Sequence, residues 1–501
     1  MLASILKAAT AHAANNSFFI SGSYYTYGQL IARTAAAQQA LRVAVRNGEK
    51  FIGILANNDF ETYSSVLGIL FSGVAYVPLN PNNPMERSME IIDQVGIRTI
   101  VSSRVEPLTA YLEQHQSEIK IIHAERLAAT NARIEVPRVH GGEAAYMLFT
   151  SGSTGVPKGI PISFSNIEAF IDAFCALGYD LSQDDRFLQM FDLTFDLSVM
   201  SYLVPLTLGA CVYPVDENEI KYLAVYKLLA DHEITFALMV PSMLAYMRPY
   251  FEDIKLGGLR YSVFCGEALY EDITREWSQC APNARIQNVY GPTEATIFCL
   301  AYDWNRSRGG EKATKGIVSI GKPMKHTKAI VVDDALVPAE RGIKGELCLS
   351  GGQLTSGYWN NPEKNKSAFF TCPEEQNGRF YRTGDLAYVD REGDFVFCGR
   401  TDYQVKIQGY RVELHEIEHY ARQYGQGYSV AAVAHENRTG QTVIHLFVEN
   451  GSQSALEMTD FLKTKLPPYM IPAGVTSLDQ LPLNSNGKID RKKLVQLLDD
   501  G

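Results

Sequence analysis

Leu148-Phe-Thr-Ser-Gly-Ser-Thr-Gly-Val-Pro-Lys-Gly159 decides how this chain is read. The apolar stretch ahead of it, Ala144 to Phe149, has the composition of a buried strand and leads straight into a run of Gly, Ser and Thr. A loop of that kind turns tightly and aims several backbone N–H groups and hydroxyls at one small anion, and Lys158 adds a full positive charge. The pattern suits the phosphates of a nucleotide. It is not the Gly-Lys-Ser/Thr signature that opens a helix in kinase- and GTPase-type loops, because Pro157 precedes Lys158 and Gly159 follows it. Pro157 also removes a backbone donor where such a loop needs one.

Further stretches follow in a set order. They are Thr26-Tyr-Gly-Gln-Leu30, Gly73-Val-Ala-Tyr-Val-Pro-Leu-Asn-Pro81, Tyr290-Gly-Pro-Thr-Glu-Ala-Thr296 and Tyr381-Arg-Thr-Gly-Asp-Leu386. Gly399-Arg-Thr-Asp-Tyr-Gln-Val-Lys-Ile-Gln-Gly-Tyr-Arg411 and Asn486-Gly-Lys-Ile-Asp-Arg491 close the series. Together with the phosphate loop they resemble the motifs of the adenylate-forming superfamily: amino-acid adenylation domains, acyl-CoA synthetases and firefly luciferase. The resemblance spans nearly the whole chain.

Composition sets the bounds. With 501 residues, 46% hydrophobic and 20% charged, the chain has material for more than one core. It shows no apolar run long enough to span a bilayer, and Met1 to Asn15 reads as an amphipathic helix without a basic start or a cleavage site. Eight scattered cysteines, with no Cys-x-x-Cys pair, read as reduced, mostly buried thiols in a cytoplasmic protein; Phe174-Cys175 and Phe397-Cys398 are typical settings. A net charge of −10 argues against general nucleic-acid affinity.

Short apolar runs such as Phe51 to Leu55, Arg98 to Val101 and Thr235 to Val240 alternate with helix-like stretches such as Tyr63 to Phe71 and Ile220 to His232. That alternation predicts parallel sheets covered by helices. After about residue 310 the pattern turns to antiparallel strands with tight turns, and the tail forms a compact α+β unit of roughly a hundred residues. The resemblance implies the matching fold: an α/β large domain over 1–401 with mixed sheets and a β-rich subdomain, and a small mobile α+β domain over 402–501. Asp402 is then the hinge, although an Asp in a loop is also a turn former. A hinge matters because two half-reactions need different groups at one site.

The implied chemistry is attack of a carboxylate oxygen on the α-phosphate of ATP, with pyrophosphate leaving; the protein positions groups and stabilises charge. By resemblance, Thr150, Ser151, Gly152, Ser153, Thr154, Gly155 and Lys158 hold the β- and γ-phosphates, and Glu294 binds Mg²⁺. Asp385 accepts from the ribose hydroxyls, Arg400 supports the ribose or phosphates, and Asn288 and Tyr290 meet the adenine. Gly266, Glu267, Ala268, Gly291 and Thr293 complete the expected nucleotide site. Lys488 bridges the substrate carboxylate and the α-phosphate during adenylation, as a mobile point charge on the small domain. Lys406 serves the second conformation, in which a thiol attacks the adenylate.

Phe195-Asp-Leu-Ser198 selects the acid. In amino-acid adenylation domains an Asp at this place pairs with the substrate ammonium, and acyl-CoA synthetases need no such anion, so Asp196 points to an amino acid. The alternative is Asp196 as the N-cap of the following helix. The other pocket positions carried over are Leu197, Met200, Leu238, Val263, Cys265, Val289, Ile297 and Phe298; all are apolar, which suits a small aliphatic substrate. Phe195 to Met200, Phe264-Cys-Gly-Glu267 and Gly409-Tyr-Arg411 resemble the D-alanine–D-alanyl carrier protein ligase family, in which the pocket cysteine helps favour D-alanine. Phe298 and Val289 depart from that family's small residue and Thr, and Phe298 could shrink the pocket toward glycine. No Asp-Ser phosphopantetheine-attachment pattern is found, so the acceptor thiol is expected from a carrier protein in trans, or from coenzyme A. A free-standing enzyme for L-alanine, glycine or proline in peptide natural-product assembly is the alternative. An acyl-CoA synthetase, a catalytically silent homologue and an oxidative luciferase-type activity are more remote.

Overall fold

The apolar run ahead of the phosphate loop is a strand, Ala144–Thr150, with its central residues buried. The computed structural model describes residues 1–501 except 116–117, 152–155, 308–312, 315, 377, 403, 425–428, 438–439, 450–453, 484–488 and 500–501. Among the described residues this strand belongs to a sheet ordered Lys120–His123, Thr99–Ser102, Phe51–Leu55, Ala75–Leu79, Ala144–Thr150, Lys158–Ser163. Pairing is parallel from the first of these through Ala144–Thr150.

A second sheet has the parallel core Asn16–Ile20, Cys211–Pro214, Arg186–Gln189, Phe236–Met239, Tyr261–Phe264, Arg285–Tyr290. Antiparallel strands close its edges, Ser23–Thr26 at one side and Leu300–Trp304 with Lys322–Pro323 at the other. Phe236–Met239 and Tyr261–Phe264 are buried at every position, as expected for parallel strands covered on both faces. Beyond these lies an antiparallel sheet of Thr327–Val332, Gly345–Gly351, Gly378–Val389 and Phe369–Cys372, with Phe395–Arg400 paired to Gly378–Val389.

The motif at Thr26 to Leu30 is structural. Thr26 caps the helix Tyr27–Arg46 by accepting from Gln29 N, while the Gln29 side chain accepts from Thr26 N, so orphan donors of the first turn are satisfied reciprocally. Tyr27 then ties this helix to the second sheet by donating to Ala210 O at 2.7 Å.

The chain divides into two compact units. The larger comprises Met1–Pro81, Val95–Leu148 and Gly159–Thr401; the other comprises Asn82–Gln94, Phe149–Lys158 and Asp402–Gly501. In the second unit Val430–Glu436, Thr442–Glu449 and Gly474–Leu478 form a three-stranded sheet, and Gln404–Ile407 with Tyr410–Glu413 form a separate hairpin. The helices Leu414–Tyr424 and Ala455–Lys463 supply Ile417 and Leu462 to its core. Arg87 and Glu416, also within this unit, form a buried ion pair at 2.6 Å.

All eight cysteines are free, and six are buried. Cys175, expected among the buried thiols, is exposed. It ends the helix Phe164–Cys175, whose inward face is Phe164, Ile167, Phe170 and Phe174, and one further residue turns the side chain off that face. No described helix is long and apolar enough to cross a membrane.

Candidate active site

Two side chains of the larger unit converge on the carboxylate of a third, Asp385. Asp385 and Arg400 are cross-strand partners, and Tyr290 ends the strand Arg285–Tyr290. The Tyr290 hydroxyl donates to Asp385 Oδ2 and the Arg400 guanidinium donates to Oδ1. Arg400 also donates to Thr383 O at 3.2 Å, and the Asp385 backbone N–H to Thr383 Oγ1 at 3.0 Å. Burial first, and the Asp385 charge second, push the Tyr290 phenol well above its ordinary range, so it remains a donor. Asn288, on the same strand as Tyr290, is buried, and its amide donates to Ser319 O at 2.9 Å and Val318 O at 3.3 Å.

The loop after Tyr290 returns on itself, with Cys299 N–H donating to Tyr290 O at 2.8 Å. Gly291 is required by this closure: a Cβ there would meet Phe298 Cα at 2.4 Å. Thr293 and Glu294 lie in the short turn Thr293–Ala295, and Glu294 is fully buried. Its carboxylate accepts from Tyr358 Oη at 2.6 Å, and its carbonyl from Thr355 N at 2.8 Å. Among the described residues no group of three or more His, Cys, Asp or Glu could hold a metal. A single carboxylate fixed by a tyrosine suits Mg²⁺, which takes most of its ligands from phosphate and water.

Thr296 and Ile297 have φ of 55° and 72°. For β-branched residues this is strained backbone. Gln353 holds it: its Nε2 donates to the carbonyls of Phe298 at 2.8 Å, Thr296 at 3.2 Å and Ala295 at 3.3 Å, while Thr296 Oγ1 donates to Gln353 O at 2.5 Å. Sequence reasoning missed both Gln353 and Tyr358. The available signal was a polar residue among glycines in Gly351-Gly-Gln-Leu-Thr-Ser-Gly-Tyr358.

Of the amino-acid pocket candidates, Leu238, Val263, Cys265 and Val289 lie at or next to the carboxyl ends of parallel strands, where open α/β sheets bind ligands, while Leu197 and Met200 are on the helix Leu197–Leu208. Leu238 and Val263 are paired across neighbouring strands, and the Cys265 N–H donates to Met239 O at 3.1 Å. Leu197, Met200, Leu238, Val263, Cys265, Val289, Ile297 and Phe298 are all buried. The Phe298 ring packs edge-on against Phe170, with centroids 5.0 Å apart. Asp196 is 3% exposed and precedes the helix Leu197–Leu208, but its carboxylate does not cap that helix. Gly266 has φ 97°, Ala268 is half-buried, and Glu267 Oε2 accepts from Ser242 N at 2.7 Å.

The remaining described candidates belong to the second unit. Thr150 ends its strand, and Ser151 Oγ donates to Arg411 O at 2.9 Å while accepting from Glu413 N at 3.1 Å. Lys158 Nζ lies 3.3 Å from Glu413 Oε1, both largely buried. Lys406 is the cross-strand partner of Arg411. Asp402 accepts from Gln404 N at 3.2 Å, an Asx-type turn. Gly152, Ser153, Thr154, Gly155 and Lys488 lie outside the described residues.

The sequence pattern of the family described as AMP-binding enzyme matches residues 6–359. The chain belongs to the AMP-binding enzymes. It is 33% identical over 475 residues to tyrocidine synthase 3 of Brevibacillus parabrevis, covering 94% of this chain and 7% of that protein. With a dimodular nonribosomal peptide synthase of Bacillus subtilis the identity is 30% over 472 residues, covering 91% and 19%. This AMP-binding enzyme thus spans under a fifth of either relative's length. Among solved structures it is similar to the Vibrio cholerae adenylation domain AlmE in complex with glycyl-adenosine-5'-phosphate, with TM-score 0.88 and 28% identity over 100% of this chain and 97% of that one. It is also similar to holo-PA1221, an NRPS protein containing adenylation and PCP domains, with TM-score 0.85 and 25% identity over 99% and 84%. Its α/β fold, with mixed sheets and a smaller C-terminal portion, is that of adenylation domains. Enzymes of this family are ligases that form AMP-linked adducts.

Proposed function

We propose that this AMP-binding enzyme activates a small amino acid with ATP as the aminoacyl adenylate, then transfers the acyl group to the phosphopantetheine thiol of a carrier protein in trans. The observation that carries this reading is Asp196, a buried carboxylate at the head of the helix that carries Leu197 and Met200. A desolvated carboxylate gains from a nearby counter-charge, which a substrate ammonium supplies and a plain carboxylic acid does not.

In the first step a substrate carboxylate oxygen forms a bond to the α-phosphorus, and the bond to the pyrophosphate oxygen breaks. In the second, a thiolate attacks the acyl carbon and AMP leaves. Asp385 can accept from ribose hydroxyls while bonded to Tyr290 and Arg400, because a carboxylate offers about four lone-pair sites. Thr150 to Lys158 is assigned to the β- and γ-phosphates, Lys488 to the first step and Lys406 to the second, with Asp402 as the hinge at 401/402. Glu294 would hold Mg²⁺, which neutralises phosphate charge.

D-alanine is supported by Cys265, through the ligase family that this pocket resembles. Glycine is a second reading, supported by similarity to a domain whose structure holds glycyl-adenosine-5'-phosphate and by the bulk of Phe298. Amino-acid-dependent ATP–pyrophosphate exchange over the proteinogenic set plus D-alanine tests both. Exchange with D-alanine above L-alanine and glycine supports the first, and glycine above both alanines supports the second. Exchange with no amino acid would overturn the function.

A further inference from the structure

Four tyrosines, Tyr63, Tyr76, Tyr146 and Tyr202, are each no more than 1% exposed and form one buried layer. Tyr76 and Tyr146 sit opposite each other on the parallel strands Ala75–Leu79 and Ala144–Thr150, with ring centroids 5.7 Å apart. The hydroxyls of Tyr76 and Tyr202 are hydrogen-bonded at 2.8 Å. The Tyr202 ring meets Tyr63 edge-on at 5.6 Å, and the Tyr63 hydroxyl donates to Asn58 Oδ1 and accepts from Gln189 Nε2.

Three of the four hydroxyls are therefore satisfied. The fourth, on Tyr146, has no hydrogen-bond partner among the described residues, and neither has Ser198 Oγ. Both residues are 0% exposed. Ser198 stands one turn before Tyr202 on the same face of the helix Leu197–Leu208, and two residues after Asp196. Tyr146 thus packs beside Tyr76, and Ser198 lies one turn before Tyr202, in the first turn of the helix that Asp196 precedes. The Asp196 carboxylate is near enough to add to burial in pushing up the phenols of both Tyr146 and Tyr76.

A buried hydroxyl without a partner destabilises the folded chain. A buried carboxylate–ammonium pair, in turn, is favourable only when its remaining lone pairs and N–H groups are hydrogen-bonded. The same place holds both the deficit and its remedy. We propose that Tyr146 and Ser198 are positioning residues of the amine subsite, whose hydroxyls hydrogen-bond the Asp196–ammonium pair, directly or through one water, when the amino acid is bound. This rests on the assignment of Asp196 to the substrate amine.

Removing a hydroxyl that has no partner among the described residues should not destabilise the free protein, yet should weaken binding of the amino acid. Tyr146→Phe and Ser198→Ala are each expected to raise the amino-acid KM in pyrophosphate exchange by about 10-fold, the effect of one hydrogen bond to a charged group. The ATP KM should be unchanged and the Tm of the free protein no lower than wild type. Tyr76→Phe breaks a hydrogen bond already made in the same layer and should lower Tm. Unchanged amino-acid KM in both variants, with Asp196→Asn inactive, would overturn the proposal and leave the amine assignment standing. A lower Tm with both KM values raised together would also overturn it, as the mark of a purely structural role. An Asp196→Asn enzyme with wild-type amino-acid KM would instead remove the amine assignment itself.

Discussion

Tyr290 hydrogen-bonds the carboxylate of Asp385, 95 residues further along the chain and carried by a different sheet. With Arg400 on the other carboxylate oxygen, Asp385 is held in one orientation by two donors, ready for the ribose role proposed for it. Such pre-orientation lowers the ordering cost of binding.

Asp385→Ala should therefore act on the nucleotide alone. Loss of two hydrogen bonds to a charged acceptor predicts an ATP KM raised by about 100-fold or more. The amino-acid KM should change little, and Tyr290→Phe should give a smaller rise of the same kind. Exchange kinetics with ATP and amino acid varied separately make the check; parallel changes in both KM values would refute the assignment.

Gln353→Ala should loosen the strained turn. Its amide serves three carbonyls within the larger unit, and the loss of a buried donor to several acceptors costs about 1–3 kcal/mol. A urea melt should show that loss, and the amino-acid KM should rise because Ile297 and Phe298 are no longer held. An unchanged melt would mean the turn is maintained by its own packing.

Tyr358→Phe removes the donor that orients Glu294. Loss of such an outer partner typically costs about 10–100-fold in metal affinity or activity. Titration of exchange activity with Mg²⁺ should show the half-saturating concentration moving upward. An identical titration curve would argue that Glu294 does not serve the metal.

The second unit should show a histidine-dependent acid limb. Burial, and then the neighbouring His435, depress the His445 pKa below its ordinary 6.5. The unfolded chain therefore binds the proton more readily than the folded one. The stability linked to this group is full above about pH 6.5 and is lost as the pH falls toward and through the folded value. His445→Gln should flatten the stability–pH curve in that window, as followed by urea melts from about pH 5 to 8.

Lys488→Ala should abolish adenylate formation yet leave thioester formation from supplied adenylate largely intact. Separate assays of the half-reactions decide it, and equal loss of both would end the role assigned to this lysine.

Much of the fold was legible in local sequence. The strand Phe51–Leu55 has the bounds expected from its apolar pattern, and the helix Lys221–Asp231 lies within the helix-like stretch Ile220 to His232, because periodicity and propensity act over a few residues. The Thr26–Gln29 capping box is local as well, reaching only three residues along the chain, but that stretch enters the reading of the sequence only as a motif. Cys175 is exposed beside the buried Phe174, because neighbours in a helix face different directions and an apolar neighbour in sequence does not fix burial. For the site, motif resemblance brought Tyr290, Asp385, Arg400 and Glu294 onto one set of candidates, but carried no information on what each side chain touches.

What the sequence by itself determined is the succession of strands, helices and turns, together with the kinds of chemical group available. Only the tertiary structure decided that Tyr290 and Arg400 share Asp385, that Gln353 and Tyr358 support the loop around Glu294, and that the buried Tyr146 and Ser198 hydroxyls have no hydrogen-bond partner among the described residues. The reason is physical. Backbone preference is set by neighbouring residues, whereas hydrogen-bond satisfaction depends on strand register and on which faces are packed together, and those are fixed only when distant segments meet.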